Sequence, residues 1–363
     1  MGSGEGSILR PQHPSARHLS ALVDEFGLET RGSLDDVEVT GITLSTDNLQ
    51  PGDLYVGVPG ANRHGAMFAA QAKEGGAVAL LTDGAGADLA AASGLPMIIV
   101  ESPREALGAI SAWVYRTAQA APLLFGITGT NGKTSVSYLL HGMLAQLGLV
   151  AGLSTTAERK IGDLTVASSL TTPEATEVHG LLARMRESEV RAVVLEVSAQ
   201  ALTRNRVDGL VFDVVGFLNL SHDHLDDYAD METYFAAKLP LFEPDRARRG
   251  VVSLDTEWGQ RVVDASRIPI TTVSSTPGVD AAWTVTILEE RAEYTEFELT
   301  PPEGQSITTR VPVIGRHMAA NAGLAIAMLV EAGFELEAIA HALDQDGGIK
   351  AFIPGRIERV SGP

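Results

Sequence analysis

The stretch 123–135, LLFGITGTNGKTS, constrains this chain more than any other. Its apolar start, 123–127, reads as a buried strand. Gly129 and Gly132 open a loop, Lys133, Thr134 and Ser135 follow, and the amphipathic run 136–147 reads as a helix. Strand, glycine loop, lysine, hydroxyls and helix together make a phosphate cradle. Glycines let backbone N–H groups close on phosphate oxygens. Lys133 adds a point charge at the β/γ-phosphates, and the Thr134 hydroxyl suits Mg²⁺. The usual phosphate-loop pattern carries a glycine five residues before the Gly132-Lys133 pair. Here that position is Ile127, and glycines stand instead at 126 and 129. The loop is therefore a variant of the general nucleoside-triphosphatase form.

Around this loop, strand and helix patterns alternate. Upstream, helices are expected at 16–26, 66–74, 87–92 and 103–117, and strands at 37–44, 53–58, 77–81 and 97–100. Downstream, strands are expected at 123–127, 150–154, 192–197, 211–218, 250–254 and 270–273, with helices between them, including 174–186. The runs 283–287 and 295–299 read as an antiparallel excursion, and 316–331 and 336–343 as helices. The fold class is α/β: a small N-terminal α/β domain and a central P-loop NTPase-like domain with a mostly parallel sheet flanked by helices. The expected division is a flexible start at 1–16, an N-terminal domain at 17–120, a central domain at 121–350 and a linker at 351–363, with AQAAP at 118–122 as the joint.

Charge and cysteine usage exclude several functions. A formal charge of −19 repels nucleic-acid backbones and anionic lipid, so a phosphate ligand needs a locally positive cleft. Lys133, Arg204, Arg206 and Mg²⁺ are candidates for supplying it. With no cysteine, disulfides and cysteine-bound zinc are out. No apolar run approaches the roughly 18 residues of a membrane span, and no signal peptide is evident, so the cytoplasm is expected.

Four further stretches carry chemistry. In VVLEVS, an apolar strand ends in Glu196, at the sheet edge where open α/β sheets bind ligands, and its carboxylate can complete a Mg²⁺ shell with Thr134. The alternative is a solvated strand-end glutamate. In NLSHDHLD, His222, Asp223, His224 and Asp226 crowd together. This reads as a capped helix start, Ser221 being the cap, with His224 an additional candidate for the nucleotide or metal. In YFAAKLPLF, Lys238 sits in an apolar helical setting. A buried lysine can act as a nucleophile or take up CO₂ as a carbamate, whereas periodicity alone reads it as snorkelling. In SSLTTPE, Thr171 and Thr172 precede Pro173 at a helix start and suit an anion or sugar-peptide, or simply cap the helix.

GTNGKT resembles the loop of the ATP-dependent Mur ligase and folylpolyglutamate synthase superfamily. Together with TTPE, EVSAQAL, RVDGLVFD, NLSHDHLD and YFAAKLPLF, in this order, the chain is similar to the MurE type of Mur ligase from about residue 40 onward. The resemblance implies that Gly129, Thr130, Asn131, Gly132, Lys133, Thr134 and Ser135 hold ATP and that Asn321 contacts adenine. Thr134 and Glu196 match the first Mg²⁺ site, and Lys238 matches a carbamylated lysine. Thr171, Thr172, Ser198, Arg204 and Arg206 match positions holding a UDP-N-acetylmuramoyl dipeptide. Leu44, Thr46 and the Ala61-Asn62-Arg63 turn match its uridine site.

The implied reaction is ATP-driven amide formation. A free amino acid is added as the third residue of UDP-MurNAc-L-Ala-D-Glu through an acyl phosphate, with Lys133, Glu196 and Lys238 at the catalytic centre. That is a step of peptidoglycan synthesis, hence of cell-wall biogenesis, cell shape and cell division, expected of a monomer. Alternatives are a non-ligating relative that binds the UDP-muramyl peptide and ATP, a folylpolyglutamate synthase-like ligase, or an unrelated P-loop kinase.

Departures from the family pattern are Thr46-Asp47 in place of Ser-Arg, Gln200 in place of a histidine, and His222 in place of an arginine. Relatives carry a third domain after a PGRIE-like sequence, which here is followed by RVSGP. The 363 residues are accordingly expected to bind nucleotide and UDP-sugar with little ligation by themselves.

Overall fold

The computed structural model describes residues 9–118, 122–168, 170–222 and 227–354. Asp223 and His224, residues 119–121 of the expected joint and residues 355–363 lie outside them. The chain forms two compact units. One comprises Met1–Ala121, Pro173–Glu187 and Arg204–Leu210, and the other Pro122–Thr172, Ser188–Thr203 and Val211–Pro363.

Unit one is built on a five-stranded sheet. Its strands are β2 (Glu29–Arg31), β4 (Gly41–Thr43), β5 (Asp53–Val56), β6 (Ala79–Thr82) and β7 (Met97–Ile99), in the order β2-β7-β6-β5-β4. All neighbours are parallel except β2 with β7. A separate antiparallel pair joins β1 (Arg17–His18) to β3 (Glu38–Val39). The inner strands read DLYV and ALLT and are buried throughout, because helices cover both sheet faces. One covering layer is the Pro103–Tyr115 helix with the Ala175–Glu187 helix. Trp113, Ile110 and Leu107 from the first and Ala175 and Ala183 from the second share a core with Leu54, Val56 and Leu81.

Unit two is built on an eleven-stranded sheet. Its strands are β8 (Leu123–Thr128), β9 (Ala151–Ser154), β10 (Glu158–Ile161), β11 (Leu164–Ala167), β12 (Ala192–Glu196), β13 (Phe212–Phe217), β14 (Ala247–Ser253), β15 (Ile270–Ser274), β16 (Trp283–Glu290), β17 (Thr295–Thr300) and β18 (Ile307–Val311). Their order is β11-β10-β9-β12-β8-β13-β14-β15-β16-β17-β18. From β9 to β16 all neighbours are parallel, and hairpins extend both ends antiparallel. The antiparallel excursion thus gains a third strand, β18, and the β10–β11 hairpin is an addition to the elements expected from sequence. β8 lies between β12 and β13. The chain leaves it toward one side and later returns to the other, so the carboxyl end of β8 is the topological switch point where such sheets bind ligands. The Lys133–Gln146 and Arg316–Glu331 helices bury Val136, Leu139, Leu140, Met143, Ala322, Ala325 and Leu329 against this sheet. Among the described residues no helix is long and apolar enough to cross a membrane.

Candidate active site

Where β8 ends, the loop 129–132 turns into the Lys133–Gln146 helix. Gly129 has φ +147° and Gly132 φ +90°, conformations costly for any residue with a side chain. A Cβ on Gly129 would lie 3.2 Å from the Asn219 carbonyl oxygen, and one on Gly132 would lie 3.2 Å from the Asn321 side-chain amide. The loop is held from the next strand. Asn219 accepts from Thr130 N–H through its carbonyl (3.0 Å) and from Asn131 N–H through Oδ1 (2.9 Å), and donates to Asn131 O (3.1 Å). Ser221 N–H donates to Thr130 Oγ1 (3.1 Å). The Lys133 ammonium donates to the Gly129 and Thr130 carbonyls, each at 2.9 Å, and so curls over its own loop.

Beside it, β12 delivers Glu196, 1% exposed. Burial pushes its carboxyl above the ordinary value, while the Thr134 hydroxyl, the Lys133 charge and Thr156 oppose that shift. Thr156 donates to Glu196 from its backbone N–H (3.3 Å) and its hydroxyl (3.0 Å), and the same hydroxyl lies 3.0 Å from Thr171 Oγ1. Thr172 Oγ1 donates to the Glu196 carbonyl (2.8 Å) and accepts from Ser198 N–H (3.2 Å). Lys133, Thr134, Glu196, Thr171, Thr172 and Ser198 are therefore one polar network.

Lys238, also 1% exposed, reaches the same loop. Its ammonium lies 3.4 Å from the Gly129 carbonyl oxygen and 4.4 Å above the Tyr234 ring, whose hydroxyl lies 3.4 Å from Thr130 Oγ1. It is not on a continuous helix. The Met231–Ala236 helix, capped by Asp230, stops two residues earlier, and Lys238 begins a 3₁₀ turn because Pro240 cannot continue the helix. It is buried, and so does not snorkel.

Behind the loop, a cavity of about 540 Å³ is lined by Asn321, Asp255, Ser275, Thr276, Arg316 and His317, among others. Asp255 accepts from the hydroxyls of Ser274 and Ser275, both at 2.6 Å, and from the Ser275 N–H at 2.8 Å. These hydrogen bonds hold its carboxyl below the usual range against the opposing effect of burial. Gln200 pairs with Asp227.

Unit one carries the remaining candidates. Leu44 and Thr46 sit in the loop after β4, where Thr43 Oγ1 accepts from Ser45 N–H (3.1 Å). The 61–63 turn is closed by Gly60 N–H to Arg63 O (3.1 Å), and next to it His64 accepts from Ala66 N–H through Nδ1 (3.1 Å) and faces Asp83 through Nε2 (3.1 Å). A cavity of about 100 Å³ takes Leu44, Ser45 and Asn48 from the first loop, Arg10 from the N-terminal segment, and Glu174, Thr176 and Glu177 from the start of the Ala175–Glu187 helix. Arg10 is paired with buried Asp53 (2.7 Å). Arg206 is buried and gives its Nε to Glu174 (3.0 Å), so the carboxylate it pairs with is internal. Arg204 is exposed.

The Thr172 hydroxyl joins the end of β12 to Ser198, and the first backbone N–H groups of the Ala175–Glu187 helix, of Glu177 and Val178, go to Glu174 O. Thr156 and Asp255 lie outside every motif named above, and Tyr234, though it heads YFAAKLPLF, has no role assigned to it by sequence. Thr156 follows β9 at the same sheet edge, and that position is its only sequence signal. Among the described residues no group of three or more His, Cys, Asp or Glu side chains forms a ready-made metal centre.

Residues 127–329 match the pattern of the Mur ligase middle domain, and residues 38–115 that of the Mur ligase family catalytic domain. A UDP-N-acetylmuramyl-tripeptide synthetase of Leifsonia xyli is 63% identical over 356 residues, which cover 98% of this chain and 69% of that protein. A UDP-N-acetylmuramoyl-L-alanyl-D-glutamate–2,6-diaminopimelate ligase of Streptomyces avermitilis is 44% identical over 351 residues, covering 97% and 68%. The chain thus spans about two thirds of the length of these relatives. Among solved structures, a ligase with the same name as the Streptomyces protein superposes with a TM-score of 0.77 at 22% identity, covering 92% of this chain and 67% of its own. MurF ligase from Thermotoga maritima in complex with ADP superposes at 0.57 with 15% identity, covering 83% and 65%. These two likenesses speak for the fold.

Proposed function

This chain belongs to the Mur ligase family, and on that footing we propose that it serves ATP-dependent amide ligation, extending UDP-MurNAc-L-Ala-D-Glu by one amino acid. The observation that carries this reading is the Thr134–Glu196 pair beside Lys133 at the carboxyl end of the central strand. A carboxylate is a poor electrophile, so it is first activated. Its oxygen takes the γ-phosphoryl of ATP and ADP leaves. The amine then attacks the acyl phosphate, the tetrahedral intermediate expels phosphate, and the amine's extra proton passes to solvent or base. Lys133 and the loop N–H groups offset charge on the transferring phosphoryl.

Mg²⁺ fits the residues present. Glu196 is a buried carboxylate whose ionisation burial opposes, and a divalent cation shared with the Thr134 hydroxyl would offset that cost. Bound there, the ion would supply charge neutralisation at the phosphates. Lys238 is the residue that would carry a carbamate and hold a second ion. Asn321 and its cavity suit a nucleoside, and Leu44, Thr46, Arg204 and Arg206 the UDP-sugar.

The test incubates the full-length protein with UDP-MurNAc-L-Ala-D-Glu, ATP, Mg²⁺ and a panel of diamino acids, following ADP release and product mass. ADP release that needs both UDP-sugar and amino acid, with a tripeptide product, supports the reading. ATP turnover indifferent to the UDP-sugar overturns it. Tight UDP-sugar binding without amide formation favours the non-ligating relative, which Gln200 invites.

A further inference from the structure

Glu174 holds two arginines at once. Its Oε2 takes Arg104 Nη1 at 2.5 Å and its Oε1 takes Arg206 Nε at 3.0 Å. The three side chains come from stretches far apart in sequence: the first turn of the Pro103–Tyr115 helix, the residue preceding the Ala175–Glu187 helix, and the 204–210 segment, all within unit one. One carboxylate shared by two guanidinium groups gathers cationic side chains at one place in a chain whose total charge is −19. Arg104 is also placed against its own helix. A cation in a first turn opposes the helix dipole, so local helix stability does not explain it. Glu174 borders the same cavity as Leu44 and Ser45. Arg104 is 36% exposed, Glu174 23% and Arg206 7%, so the triad opens to solvent on the Arg104 side.

We propose that Arg104 is a further substrate-binding arginine and Glu174 a positioning residue: the carboxylate fixes two guanidinium planes as a paired-cation clamp for an anionic group of the UDP-sugar. This rests on the reading of unit one as the UDP-sugar-binding part. A guanidinium fixed by one carboxylate bond meets a phosphate oxygen with less conformational entropy to lose than a free side chain. Glu174 thus helps an anion bind although its own charge repels it.

That opposition gives a test with a sign. UDP-MurNAc-L-Ala-D-Glu is titrated calorimetrically into the protein and into Arg104→Gln and Glu174→Gln, at several salt concentrations, with thermal melts alongside. Arg104→Gln is expected to weaken binding about tenfold and to flatten the salt dependence, leaving Mg·ATP affinity unchanged. Glu174→Gln is expected to weaken binding as well, roughly fivefold, although it removes a repelling charge. Tighter binding by Glu174→Gln, or native-like binding by Arg104→Gln, overturns the proposal and leaves the triad a structural staple. If a melt shows Glu174→Gln to be unfolded, Arg104→Gln alone decides. Absence of UDP-sugar binding by the unaltered protein would instead remove the reading on which the proposal rests, and the clamp with it.

Discussion

On the proposed reading, the two units hold their anions in opposite ways. In unit two the cradle is local. Seven consecutive residues, Gly129 to Ser135, set the backbone, and Asn219 holds it in place. In unit one the positive groups are carried by side chains from distant stretches, and each is paired inside the protein: Arg10 with Asp53, and Arg104 and Arg206 with the one carboxylate of Glu174. A site made of backbone N–H groups needs a particular local conformation and leaves a motif. A site made of buried ion pairs needs a particular fold and leaves none. The first should fail through lost chemistry, and the second through lost stability as well.

The sharpest way to break this contrast is at Lys133. In the full-length protein, Lys133→Ala should cut ligation by about a thousandfold, near 4 kcal/mol of transition-state stabilisation, with an unaltered melting temperature. A fall in stability of similar size would erase the distinction. Next is Asp53→Ala, which strands a buried arginine. Chemical denaturation should show unit one losing roughly 3 kcal/mol while Mg·ATP affinity holds.

His179 provides a pH version of the same test. It is fully buried in unit one, donates from Nε2 to Asp208 O (2.9 Å) and accepts at Nδ1 from the Thr117 hydroxyl (2.7 Å), and burial lowers its pKa from 6.5 to about 4. The unfolded chain therefore binds a proton that the folded one refuses. Stability should fall as pH drops from about 6.5 to 4 and then level off, a loss of about 3 kcal/mol. Equilibrium unfolding across that range checks this, and His179→Gln should flatten the profile. The smallest expected effect is Gly132→Ala. At φ +90° it should cost roughly 1–2 kcal/mol, read as weaker Mg·ATP binding with UDP-sugar affinity intact.

The same contrast explains what was legible beforehand. The stretch 123–135 declared a strand, a loop and a helix in one reading, and Glu196 followed from lying at the end of an apolar strand. The β10–β11 hairpin was missed although Gly162-Asp163 marks its turn, because ERKI and LTVA are short and only half-buried. Strand β18 was missed because ITTRV buries only Thr309 and Val311. Lys238 read as snorkelling by periodicity, since sequence shows spacing and not what covers a residue. Arg104 carried no signal at all: its partner lies 70 residues away, and only folding brings the two together.

The most direct test is a pair of titrations on two variants. Lys133→Ala should abolish Mg·ATP binding and keep native affinity for UDP-MurNAc-L-Ala-D-Glu, and Arg206→Ala should do the reverse. If both variants lose the same ligand, or Arg206→Ala binds the UDP-sugar like the native protein, two separately built anion sites is the wrong description.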